Sequence, residues 1–105
     1  HRSRYLDAQK RFKDSLRRQI LFHYSNGKME CACCGEDMIE FLALDHLYGG
    51  GNQHRKKLGG TSLALYLNLK RNGYPVGYQV LCVNCNWGRR LTNVCPHQWA
   101  LPHIV

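Results

Sequence analysis

Cys31–Ala32–Cys33–Cys34–Gly35 and, much later, Leu81–Cys82–Val83–Asn84–Cys85–Asn86 are the stretches whose reading decides the fold. Each places two thiols at Cys-x-x-Cys spacing, Cys31 with Cys34 and Cys82 with Cys85. One tight turn at that spacing can aim both thiolates at a single tetrahedral ion. With six cysteines, up to three disulfides compete with a metal as the staple of the chain. Paired motifs split by a long insert favour zinc, and so does the lack of a recognisable signal peptide. The chain starts at His1 without a methionine, so it can be a fragment of a longer one.

Working outward, 105 residues make one domain with a modest core, for which a staple matters. The formal charge is +8, from 15 Lys and Arg against 7 Asp and Glu. Four thiolates on one zinc contribute about −2, which leaves roughly +6 on the metallated protein. That charge suits a polyanion such as nucleic acid, although basic residues also serve plain solubility. No long apolar segment is present, so a membrane partner is not expected.

Ahead of the first knuckle, residues 3–24 read as one helix, with Ser3 as N-cap and Asn26–Gly27 as its stop. Tyr5, Phe12, Leu16, Ile20 and Tyr24 fall near one face, and Lys10, Arg11, Lys13, Arg17 and Arg18 lie opposite. Such a basic face either follows phosphates or is simply solvated, and the local pattern does not separate the two. Behind the knuckle, 39–44 reads as an apolar strand running into Asp45–His46. Gly49–Gly50–Gly51 and Asn52–Gln53–His54–Arg55–Lys56–Lys57 form a loop whose cations suit phosphate contact. Thr61 or Ser62 caps a short helix to about Leu69, whose leucines and Tyr66 belong over the core. Tyr78–Leu81 is the second strand and 85–91 a last helix, which puts Asn86, Arg89 and Arg90 on one face. Cys33 reads as a spare thiol pointing away from the pair, and Cys95–Pro96–His97 as a weak metal signal.

The chemistry follows from that order. If the two knuckles meet at zinc, the start of the last helix lies beside the end of the first strand. Asp45 and Asn86 then converge as oxygen donors for a hard divalent cation such as Mg²⁺ or Mn²⁺. His46 beside them can accept a proton from water, since an ordinary imidazole titrates at about 6.5. Singly, each residue has a plain alternative: Asp45 caps a turn, His46 is a satisfied core histidine, Asn86 caps the helix. A catalytically silent zinc ribbon that binds nucleic acid, and a zinc-held protein-interaction module, are the competing functions.

On Cys31-x-x-Cys34–Gly35, Leu44–Asp45–His46, Gly49–Gly50–Gly51 and Leu81–Cys82-x-x-Cys85–Asn86, the chain resembles the HNH endonucleases of the His-Me finger (ββα-metal) superfamily. The resemblance spans about residues 31–97 and is nearest to small phage and prophage proteins of that kind, some with a Cys–Pro–His as at 95–97. It implies an α+β fold: a small zinc-stabilised ββα-metal finger with an N-terminal basic helix and an extra helix between the strands. The parts would be a helix over 1–28, a nuclease core over 29–97 and a tail over 98–105. It implies His46 as general base, Asp45 and Asn86 as ligands of the catalytic cation, and Cys31, Cys34, Cys82 and Cys85 as ligands of structural zinc. DNA would be cut to leave a 5′-phosphate and a 3′-hydroxyl. His54 is a candidate second histidine at the phosphate; Arg55, Lys56, Lys57, Arg89, Arg90, Arg17 and Arg18 are candidate nucleic-acid contacts. A homodimer or partner protein would be needed for double-strand cleavage, and the setting would be the cytoplasm of a bacterium or phage-infected host. One departure stands out: Gly77 occupies the position where many members carry an asparagine that braces the active-site loop.

Overall fold

In a computed structural model, the described residues are 2–48, 57, 61–92 and 97, with side chains described from residue 6 onward. Helix α1 (Arg2–Tyr24) leads through the first knuckle and a short 3-10 turn (Ile39–Phe41) into strand β1 (Leu42–His46). Helix α2 (Ser62–Arg71), strand β2 (Tyr78–Cys82) and helix α3 (Val83–Thr92) follow. The two strands pair antiparallel, with Leu42 opposite Cys82, Leu44 opposite Val80, Asp45 opposite Gln79 and His46 opposite Tyr78. The protein is thus a small α+β structure with a two-stranded antiparallel sheet and a helix between the strands in sequence.

The boundaries differ from the sequence expectations in instructive places. β1 starts three residues later than expected, because the 3-10 turn takes up Ile39–Phe41 and leaves Phe41 exposed. As a result Asp45 and His46 are the last two residues of the strand, held by its ladder, and do not follow it. Ser3 lies inside α1, which starts at Arg2, and so is not its cap. α3 starts at Val83, between the two cysteines of the second knuckle. For α2, Thr61 is the cap: its hydroxyl accepts from the Ala64 N–H at 3.1 Å.

Two patches of core share α1. Leu16 and Ile20 pack on Leu65, Tyr66 and Leu69 of α2. Leu21 packs on Leu42, Val80, Leu81 and the thiols of Cys31, Cys82 and Cys85. One helix can serve both because residues 20 and 21 point about 100° apart around its axis. Phe12, expected on the buried face, is exposed, as are all of residues 6–15. Arg17 locks the helix to the sheet: its guanidinium donates to the carbonyls of Ile39 (2.8 Å) and Leu42 (2.6 Å). Among the described residues, no helix is long and apolar enough to cross a membrane.

Candidate functional site

In both knuckles backbone N–H groups point at the sulfur of the leading cysteine. In the first, the N–H groups of Cys33 and Cys34 point at the Cys31 sulfur, at 3.4 and 3.5 Å. In the second, the Cys85 N–H points at the Cys82 sulfur at 3.4 Å. The first turn closes through Gly35 N–H to Cys31 C=O (3.0 Å), and Gly35 adopts a φ of +79°, a conformation glycine takes without strain. The turn is clamped to the sheet by Ala32 N–H to Val80 C=O (2.9 Å). The second turn is the first turn of α3, so that helix directs the positive end of its dipole at the sulfurs.

The outcome is a cluster: one ligand atom from each of Cys31, Cys34, Cys82 and Cys85, all within 4.8 Å of one another. Zinc–sulfur bonds of about 2.3 Å at tetrahedral angles put neighbouring sulfurs about 3.8 Å apart. Cys34 Sγ and Cys82 Sγ, from different knuckles, are 3.6 Å apart. The cluster is therefore suited to a metal and compatible with structural zinc. Its thiols are unequal. Burial pushes Cys31 up, but hydrogen bonds from the backbone at Cys34, Cys82 and Cys33 and from the Cys34 thiol outweigh it and bring it down to about 7. At Cys34 the Glu36 backbone N–H lowers the value, yet desolvation and the thiols of Cys31 and Cys82 prevail and raise it.

The far end of the hairpin carries Asp45 and His46. Asp45 is buried, at 6% exposure, and its Oδ2 accepts from Gln79 Nε2 across the strands at 2.9 Å and from Arg89 of α3. Arg89 also donates to the carbonyls of His46 (3.3 Å) and Leu47. His46 meets the ring of its cross-strand partner Tyr78 edge-on, with centroids 4.9 Å apart. Asn86, half-buried, precedes Arg89 by three residues on α3. The turn after β1 is braced by backbone: Leu47 N–H donates to Gly77 C=O at 2.9 Å. Gly77 has a φ of +114°, so this position calls for glycine and an asparagine would be strained there.

A cleft of about 490 Å³ runs along β2 from Leu47 and Tyr78 to Ala32 and Cys31 of the first knuckle, with Tyr24, Tyr74 and His23 on its wall; Asp45 and His46 do not line it. Its aromatic wall is continuous: Tyr78 packs on Tyr24 (5.2 Å), Tyr24 on Tyr74 (6.2 Å), and Tyr74 stacks on His23 (4.3 Å). Burial, then the neighbouring Tyr78 and Tyr74, push Tyr24 up to about 12, and burial raises Tyr78 as well.

Of the cations expected to meet nucleic acid, Arg18, Lys57 and Arg90 are exposed, whereas Arg17 and Arg89 have internal partners that neither charge nor spacing announced. Both arginines therefore tie elements of the scaffold together. The triple glycine, His54, Arg55, Lys56 and Cys95 lie outside the described residues. Gln79 and Tyr78 were missed in the sequence because only the strand register sets them opposite Asp45 and His46. Cys33 is not part of the four-cysteine cluster, and its sulfur lies 3.8 Å from His97 Nδ1. Among known proteins, no family model, no curated protein and no solved structure matches the chain.

Proposed function

We propose that the protein is a metal-dependent DNA endonuclease built as a ββα-metal finger, in which His46 takes a proton from the attacking water. The observation that carries the reading is the position of the Asp45–His46 pair. It closes β1 at the end of a hairpin whose other end is the cysteine cluster, and α3 joins the two. A rigid strand end fixes the direction of each side chain better than a loop does: Asp45 turns to Arg89 of α3, and His46, on the opposite face, to Tyr78. The exposed cations Arg18, Arg90 and Lys57 suit contact with phosphate.

Asp45 and Asn86 carry the oxygen atoms that a hard cation prefers, and they would hold it at the head of α3. Such a cation, when bound, neutralises charge on the phosphate and its leaving oxygen. Arg89 bears on this directly, because it shares the Asp45 oxygen with Gln79. For Asp45 to serve as a ligand through that oxygen, the guanidinium has to swing off it. Its charge is then released next to the place where phosphate would lie.

That same ion pair favours a second reading, a catalytically silent zinc-stapled module that binds nucleic acid, in which Asp45 only anchors α3. Plasmid nicking in Mg²⁺ or Mn²⁺ decides between them. The endonuclease reading expects cutting by the wild-type chain, and a loss of about 10²- to 10⁴-fold in His46→Ala with zinc content and circular dichroism unchanged. Salt-sensitive DNA binding without cutting in either metal supports the silent module. Double-strand cleavage would require a second copy or a partner protein.

A further inference from the structure

We propose that a second zinc ion sits beside the first, held by Cys33, Cys85 and His97, with the Cys85 thiolate shared between the two ions. The three ligand atoms lie within 4.8 Å of one another, and Cys85 belongs to both this group and the four-cysteine cluster. His97 Nδ1 is 3.3 Å from Cys85 Sγ and 3.8 Å from Cys33 Sγ. Around a tetrahedral zinc, with bonds of about 2.3 Å to sulfur and about 2.0 Å to nitrogen, a sulfur and a nitrogen are about 3.5 Å apart. The two observed separations bracket that value, and the Cys33 and Cys85 sulfurs lie within the same 4.8 Å.

Chemistry and burial point the same way. Cys33 and His97 are far apart in the chain, yet they converge on the one sulfur that the first centre already fixes. Cys85 is buried, Cys33 half-buried and His97 exposed, so the group runs from the core to the surface. Three protein ligands and a water form a common zinc arrangement. A thiolate has lone pairs for two metals. Adding a divalent ion with one further thiolate and a neutral imidazole takes the local charge from about −2 to about −1. The second ion thus relieves the crowding of negative charge that a four-thiolate centre creates.

This inference rests on the four-cysteine cluster being a zinc centre and is independent of the endonuclease reading. The test is zinc stoichiometry of the full chain by native mass spectrometry, with ¹¹³Cd NMR of the cadmium-loaded protein. Two ions per chain are expected in the wild type, and one in Cys33→Ser and in His97→Ala, with circular dichroism retained. Cadmium should give two resonances, mutually coupled through the shared sulfur, and a single one in His97→Ala. One ion in wild type and both variants overturns the proposal while sparing the first centre, and so do two ions that neither substitution removes. No bound ion at all would remove both centres together.

Discussion

Asp45 is the residue on which the functional reading turns, and its surroundings are those of a scaffold carboxylate as much as of a metal ligand. A carboxylate at 6% exposure is costly unless its charge is answered, and here a guanidinium and an amide answer it. Removing one partner leaves a buried charge unpaired, so Arg89→Met is expected to cost about 2 kcal/mol in urea unfolding of the zinc-loaded protein. Asp45→Asn together with Arg89→Met should recover at least half of that. If the two single effects simply add, the pair contributes nothing of its own and Arg89 is held by the Leu47 and His46 carbonyls. Asp45 and His46 stood out in the sequence because an acid and an imidazole end an apolar run. Arg89 did not, since an arginine on a short helix gives no sign of which way it reaches. Only the register of β1 on β2 and the start of α3 decide that.

At the scale of elements, the two knuckles do the same job with different backbones: one is a glycine-closed turn and the other a helix start. Both give the leading cysteine N–H donors, and Cys31 is drawn down to about 7. The sign for metal uptake follows. Zinc takes thiolate, so above about pH 7 Cys31 binds without releasing a proton and below it one more proton has to leave. Competition titrations with a zinc chelator should show affinity falling with falling pH, with the slope of log affinity steepening by about one below pH 7. A slope unchanged from pH 6 to pH 8 would contradict the assignment. The helices and strands were largely readable from periodicity and from caps such as Thr61. The ends are less legible: Ile39–Phe41 forms a 3-10 turn ahead of β1, and Arg17, over twenty residues away in sequence, binds the carbonyls of Ile39 and Leu42 on either side of that boundary.

At the scale of the whole molecule, the N-terminal helix is part of the core. The second half of α1 supplies Leu16, Ile20 and Leu21 to both core patches, and the two-stranded sheet would be marginal without that cover. The division into buried and solvated halves escaped the sequence because Phe12 fits the apolar face as well as Leu16 does. What separates them is where the remaining elements end, which depends on α2 and the hairpin meeting the helix near residues 16–24. This one helix thus has two environments along its length, solvated over 6–15 and clasped from Leu16 to Tyr24. Its amides should then report two clocks. By hydrogen–deuterium exchange, the amides of residues 6–13 are expected to exchange through local fraying, at least ~100-fold faster than those of Ile20–Tyr24, which open only with the core. Uniform protection along the helix would mean that its first half is held by something outside the described residues.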